Sequence, residues 1–289
     1  MRHHALSFSS VAEAYDRARP SYPEDAAAWL VGSGRSTVVE LGAGTGKLTE
    51  LLVEAGHEVV ATDPLPEMLA QLRRRVPGAR TALASAEHIP LPSRSVDVVV
   101  CAQAFHWFEQ ATALPEIARV LRPGGALALV WNARDEGIPW VRKLGAIIGS
   151  ADNDPDLAAP AEQSEHFGWM EQQEFRFWQA LRREQLFDLV RSRSYVALLD
   201  DPQRDELLAR VGALYDDYGR GPDGMQLPYV TRCYRAVVRH QTPPPPIPRA
   251  SDGALTWPAD DPESTQEVGR VPRQAEPPED PGTLLIDFK

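Results

Sequence analysis

The stretch Val38-Val39-Glu40-Leu41-Gly42-Ala43-Gly44-Thr45-Gly46-Lys47-Leu48-Thr49 sets out a strand, a glycine loop and a helix in that order. Val38 and Val39 suit a buried strand. Gly42, Gly44 and Gly46 carry no Cβ, so the backbone can turn tightly and come close to a ligand. Leu48, Leu51, Leu52 and Ala55 recur at helical spacing, and Gly56 suits the position just past a helix end. A second apolar run, Val59 to Thr62, ends at Asp63. This is half of a nucleotide-binding βαβ unit, in which a carboxylate at the second strand's tip can accept both ribose hydroxyls of an adenosine.

The loop differs from the dinucleotide fingerprint G-x-G-x-x-G/A. Its third glycine comes one residue early. Lys47 also occupies a position where that fingerprint wants a small residue for close helix–strand packing.

The chain has 289 residues and a net charge of −11, which argues against a nucleic-acid-binding surface. The two cysteines, Cys101 and Cys233, lie in apolar strand-like runs and read as buried thiols, with too few ligands for a metal site. No run reaches the roughly 18 apolar residues of a membrane span, and the N-terminus lacks a signal peptide's apolar segment. These features predict a soluble cytoplasmic protein that binds neither nucleic acid nor membrane, as a monomer or homodimer.

Outward from the loop, residues 1–34 read as an N-terminal helical segment. A helix capped by Ser10 carries Val11, Ala14, Tyr15 and Ala18 and stops at Pro20, and a second opens at Pro23 and ends at Gly32. The pair can simply pack, or can form a lid with Tyr15 and Arg19 towards a ligand; Arg19 could pair bidentately with a carboxylate. Beyond Asp63, a helix over 67–76 ends in Arg73-Arg74-Arg75, where cations complement the helix dipole. A short third strand at 81–84 leads to Ala86 and Glu87, which can reach an adenine by a backbone N–H and a carboxylate. Ser95 to Ala102 is a continuous apolar strand, as expected when both sheet faces carry helices. It ends in Gln103-Ala104-Phe105-His106-Trp107-Phe108, which gathers polar and aromatic groups past a central strand end. A helix from Thr112, the breakers Arg122-Pro123-Gly124-Gly125 and a fifth strand at 126–131 follow.

These segments, in this order, resemble the class I S-adenosylmethionine-dependent methyltransferases, and most closely the "methyltransferase type 11" group. The resemblance rests on Glu40–Gly46, Asp63, Ala86-Glu87, Ser95–Phe108 and Val120–Gly125, and spans about residues 8–240. Tyr15–Pro23 and Gln103–Phe108 also look like the trans-aconitate methyltransferase-like subset. The resemblance implies a doubly wound, Rossmann-like α/β fold with a seven-stranded sheet and an antiparallel last strand. It further implies S-adenosyl-L-methionine as cofactor. Glu40, Gly42, Ala43, Gly44 and Gly46 would hold the methionine end, Asp63 the ribose and Ala86-Glu87 the adenine, with Gln103 near the sulfonium. Where the family often has an acid just before Ala86, this chain has Ser85.

In the second half, helices are expected at 140–148, 185–193 and 201–218, a long polar loop at 150–172, a strand from Phe175, and a last strand over 227–238, which the resemblance implies is inserted beside the fifth. Phe167, Trp169, Phe175, Phe177 and Trp178 can wall a substrate pocket or pack in the core. From Thr242 eleven of the 26 prolines fall in residues 242–289, which predicts a disordered tail. The domains are thus 1–34, 35–241 and 242–289.

Methyl transfer from a sulfonium is an in-line displacement in which the protein supplies position and electrostatics. His106 is the candidate base if the acceptor must lose a proton; it can equally pack beside Trp107. The leading function is methyl transfer to a small-molecule acceptor. A non-catalytic S-adenosylmethionine-binding protein and a nicotinamide-dependent oxidoreductase are the alternatives.

Overall fold

A computed structural model describes residues 19–149, 157–193, 196, 199–219, 221 and 224–239. The chain runs α1 (Glu24–Val31), β1 (Thr37–Leu41), α2 (Lys47–Glu54), β2 (Glu58–Asp63), α3 (Pro66–Arg75), β3 (Arg80–Leu83) and β4 (Val96–Ala102). A 3-10 turn (Phe105–Trp107), α4 (Gln110–Val120), β5 (Leu121–Arg134), α5 (Pro139–Ile148) and α6 (Ala159–Glu162) follow. It closes with β6 (Glu171–Leu181), α7 (Arg183–Arg191), α8 (Asp201–Tyr218) and β7 (Met225–Val237).

The seven strands form one sheet in the order β3-β2-β1-β4-β5-β7-β6. Pairings from β3 through β5 are parallel, and β7 runs antiparallel to both β5 and β6. This is the expected Rossmann-like sheet with the last strand inserted beside the fifth. Successive strands step outward from β1 in one direction and then restart at β4 on its other side. In open sheets the crevice beyond such a reversal is where ligands bind.

The alternation of side chains along a strand divides the core into layers. Val39, Leu41, Val99, Cys101, Leu127 and Leu129 pack on one face against Ile117 and Ala118 of α4. Val38, Val98, Val100, Ala128 and Val130 pack on the other against α1 and α2. Both faces are covered, so β4 can be apolar at nearly every position. A further layer joins α5, α7 and α8 through Leu144, Leu186, Val211 and Leu214 to Leu227 and Tyr229 of β7. Both cysteines are buried free thiols. No helix among the described residues is long and apolar enough to cross a membrane.

Several local expectations shift. The third strand lies one residue earlier, at Arg80–Leu83. The fifth strand begins at Leu121 rather than Ala126, because the breakers form a bulge within it: Val96 aligns with Leu121 and Val98 with Ala126. Asp97 holds this bulge, accepting from Arg122 at 2.6 Å and from the Thr37 amide at 2.8 Å. The five aromatic residues do not form one wall. Phe167 lies in the core, Phe177 stacks on Tyr229 at 5.3 Å, and Phe175 packs against the α1 side. Trp178, on the opposite face of β6, is 61% exposed, and Trp169 is 78% exposed. The helix expected to carry Tyr15, part of the 150–172 loop and the 242–289 tail lie outside the described residues.

The loop between β3 and β4, which carries Ala86 and Glu87, is pinned by α4. Glu116 accepts from the Ile89 amide at 2.9 Å and from Arg119 at 2.6 Å; Arg119 donates onward to the Ile89 and Leu91 carbonyls at 3.0 and 2.8 Å. Replacing Arg119 with Met should cost about 1–3 kcal/mol, as for hydrogen bonds to a charged group, and should lower the denaturant midpoint without changing the far-ultraviolet spectrum.

Candidate functional site

The site forms where the loop after β1 meets the segment after β4. Three glycines in the first loop have positive φ: Gly42 at 67°, Gly44 at 55° and Gly46 at 85°. Their surroundings differ. A Cβ on Gly42 would come within 2.5 Å of the Ala104 methyl, and one on Gly46 within 2.7 Å of Leu72 in α3. Gly44 has nothing within 4 Å of its would-be Cβ. Gly42 and Gly46 therefore let protein elements close on the loop, whereas Gly44 borders open space. Ala43 is buried, and its amide donates to the Thr62 carbonyl at 2.9 Å.

Asp63, at the C-terminal end of β2, braces this loop. Its Oδ2 accepts from the Gly44 amide and its Oδ1 from the Leu65 amide, each at 2.9 Å. Burial raises its pKa, and the Leu65 and Gly44 amides oppose that rise. Each carboxylate oxygen has a second lone pair for another donor.

Glu40 is fully buried in β1, and its Oε2 accepts from the Thr49 hydroxyl at 2.6 Å. Burial pushes its pKa up to about 8; the Thr49 bond lowers it and the nearby Asp63 charge raises it. Glu40 has no basic partner among the described residues. A buried carboxylate of this kind is incomplete until a cation or a proton neutralises it.

Beyond β3, Ala86 is buried, while Glu87 accepts from the Glu109 amide at 2.9 Å, at the start of α4. Partial burial favours the neutral form of Glu87, but bonds from Ser85 and from the Glu109 and Glu87 amides outweigh it, so its pKa is lowered. The Glu87 carboxylate thus serves a helix start, a use the sequence did not disclose. Past β4, Gln103 takes a left-handed conformation (φ 58°) while its amide donates to the Val130 carbonyl at 2.9 Å. His106 and Trp107 are exposed on the following turn, their rings 4.8 Å apart, and Trp107 is 79% exposed. Arg19 is half-buried two residues before Ser21, whose carbonyl accepts from Asn132 at the C-terminal end of β5 at 3.0 Å. Asn132 in turn accepts from Thr231 of β7 at 2.7 Å. The sheet therefore anchors the chain beside Arg19. Tyr15 lies outside the described residues.

A family model described as "Methyltransferase domain" matches residues 39–129. An uncharacterized methyltransferase of Mycobacterium tuberculosis is 48% identical over 236 residues, covering 81% of this chain and 96% of the relative. The chain belongs to the methyltransferase family. An uncharacterized methyltransferase-like protein of Schizosaccharomyces pombe is 36% identical over 233 residues, covering 76% of this chain and 91% of its own. A solved structure from Anaeromyxobacter dehalogenans, provisionally assigned as a type II methyltransferase, aligns with a TM-score of 0.52 at 25% identity, covering 76% of this chain and 97% of its own.

This methyltransferase has the class I fold, and its cofactor is S-adenosylmethionine. The donor set fits that group: a buried carboxylate lacking a cation among the described residues, a second carboxylate at the next strand tip, and open space over Gly44. Sequence reasoning missed Thr49 and Asn132. A threonine between Leu48 and Leu52 on a buried helix face was the available signal for the first. The second sits in an apolar strand and is explained only by a partner 99 residues away.

Gly42→Ala should destabilise the methyltransferase through the Ala104 clash, whereas Gly44→Ala should cost only about 1 kcal/mol of stability and chiefly weaken cofactor binding; thermal melts beside cofactor titrations separate the two. Glu40 keeps its proton to higher pH folded than unfolded, so its contribution is intact below about pH 4.5 and is lost as pH rises through about 8. Relative to the cofactor-free wild type, Glu40→Gln should therefore gain stability between these limits, by a few kcal/mol at most, as read by melting temperature against pH.

Proposed function

We propose that this methyltransferase transfers the methyl group of S-adenosylmethionine to a small-molecule acceptor at the C-terminal ends of β1 and β4. The observation that supports this most is the closure of the glycine loop onto the segment after β4, with Gly42 against Ala104. It brings the cofactor loop beside the polar and aromatic run Gln103–Phe108. The bound cofactor supplies an electrophilic methyl on a cationic sulfur. The protein's share is position and electrostatics.

In this reading Glu40 and the loop 42–46 receive the amino-acid end of the cofactor. Asp63 accepts from the ribose with the lone pairs its backbone donors leave. Ala86 offers its amide to the adenine, with Glu87 alongside. Gln103, held in an unusual conformation, lies towards the sulfonium. Arg19 covers the site from the segment ahead of α1; Tyr15 and the lid read over residues 1–34 lie, as far as residue 18, outside the described residues. His106 accepts a proton from the acceptor. The finer likeness to trans-aconitate methyltransferase-like proteins, a cytoplasmic location and a monomeric or homodimeric state belong to the same proposal.

Calorimetric titration of S-adenosylmethionine and S-adenosylhomocysteine tests the cofactor side. Asp63→Ala should lose on the order of 1–3 kcal/mol of affinity, as for charge-assisted hydrogen bonds, with no binding of NADH to either protein. His106→Asn should leave that affinity unchanged and slow S-adenosylhomocysteine release with an accepted small molecule by about a hundredfold. Binding without release from any acceptor would favour a non-catalytic role.

A further inference from the structure

Glu40 and Thr49 face each other nine residues apart, from the end of β1 to the first turn of α2, and both are fully buried. Three elements pack around the Glu40 carboxyl. Thr49 approaches from α2. Asp63 of β2 and Cys101 of β4 lie close enough to act electrostatically, the former raising the pKa of Glu40 and the latter having its own pKa raised by it. None of these groups is basic. Among the described residues the carboxyl thus has one side-chain hydrogen-bond donor and an acidic neighbour, and it is buried.

We propose that Thr49 is a positioning residue that holds the Glu40 carboxylate for the cationic end of the cofactor, so that binding drives a proton off Glu40. This rests on the reading that Glu40 receives the ammonium of the amino-acid moiety. In the free protein the carboxyl carries its proton near neutral pH, because neither burial nor Asp63 favours the anion. An arriving ammonium supplies the missing counter-charge. The O–H bond of Glu40 then breaks, the proton passes to buffer, and the electron pair stays on the carboxylate. The ammonium keeps its own protons and donates one in a hydrogen bond. The Thr49 hydroxyl donates to Oε2 throughout, which stabilises the anion and fixes the plane of the group. Thr49 also explains why an otherwise apolar helix face carries a hydroxyl. A Val there would fill the same volume and leave the anion with no protein donor.

The test is calorimetry of S-adenosylhomocysteine binding to the full chain in buffers of differing ionisation enthalpy, from about pH 6 to about pH 9. Wild type should release a proton on binding near neutral pH, and affinity should rise with pH until Glu40 is already ionised. Methylthioadenosine, which keeps the nucleoside and lacks the amino acid, should release none from Glu40. Thr49→Val should bind about tenfold more weakly near neutral pH, with the midpoint of the pH dependence moved up by about one unit, and Thr49→Ser should restore both. A loss that is the same at every pH would assign Thr49 to packing alone and overturn the proposal. So would a wild type that releases no proton lost in Glu40→Gln. If Glu40→Gln abolishes the release while Thr49→Val changes neither affinity nor midpoint, the site reading stands and the role of Thr49 fails. If Glu40→Gln matches wild type in affinity and proton count, Glu40 does not meet the ligand and the site reading itself fails. Should Thr49→Val not fold, Thr49→Ala is the second hydroxyl-free variant, and the wild-type proton count still decides whether binding drives a proton off Glu40.

Discussion

Gly42 and Ala104 are in such close contact that no side chain fits between them, and the rest of the site depends on that approach. It joins the ends of β1 and β4, the two strands at which the sheet order reverses. A larger residue at either position would lift the glycine loop from the sheet. That loop is braced from the other side by Asp63, whose two oxygens accept from the Gly44 amide ahead of α2 and the Leu65 amide ahead of α3. The glycine loop is therefore part of the same close-packed assembly as the strand ends. This is how a protein fixes donors within the tolerance that oriented chemistry requires.

The two carboxylates at these strand tips solve different electrostatic problems. Asp63 accepts from two backbone amides, fixed dipoles already in place, which offset part of the cost of burying its charge. Glu40 has one hydroxyl and, among the described residues, no counter-charge, so its charge is unfavourable until something cationic arrives. A site with both carries one carboxylate braced by backbone donors and one whose charge waits on a cation. The pair can bind a molecule that is neutral at one end and cationic at the other without holding two unpaired charges in the empty state.

Much of the fold was legible because local and global signals agreed. The Val38–Thr49 stretch gave strand, loop and helix by periodicity alone, and the apolar run into Cys101 marked a strand covered on both faces. The insertion of β7 beside β5 came from family likeness, since no short-range pattern encodes a pairing between residues a hundred positions apart. The bulge at 122–125 was hidden because proline and glycine end helices and interrupt strands with the same residue types. In the site, Glu40 and Asp63 stood out by position. Glu87's bond to the start of α4, Asn132's grip on Ser21 and the hydroxyl of Thr49 did not. Each is a pairing of polar groups across distant elements, and such pairings are set by packing rather than by spacing in the chain.

The place of β7 has a consequence for how the protein is made. It is the last strand of the sheet in sequence, yet it lies between β5 and β6. Leu129 of β5 pairs with Tyr234, so one edge of the parallel sheet waits through about a hundred residues of synthesis. At the usual pace of translation that interval is roughly 5–20 seconds. Until then β5 presents an open, apolar edge and β6 has no neighbour to dock on. The nascent chain therefore spends its most adhesive period with the cofactor-binding half assembled and the sheet unsealed, which makes residues 225–237 the closing step of biogenesis and the half before them the part that needs shielding.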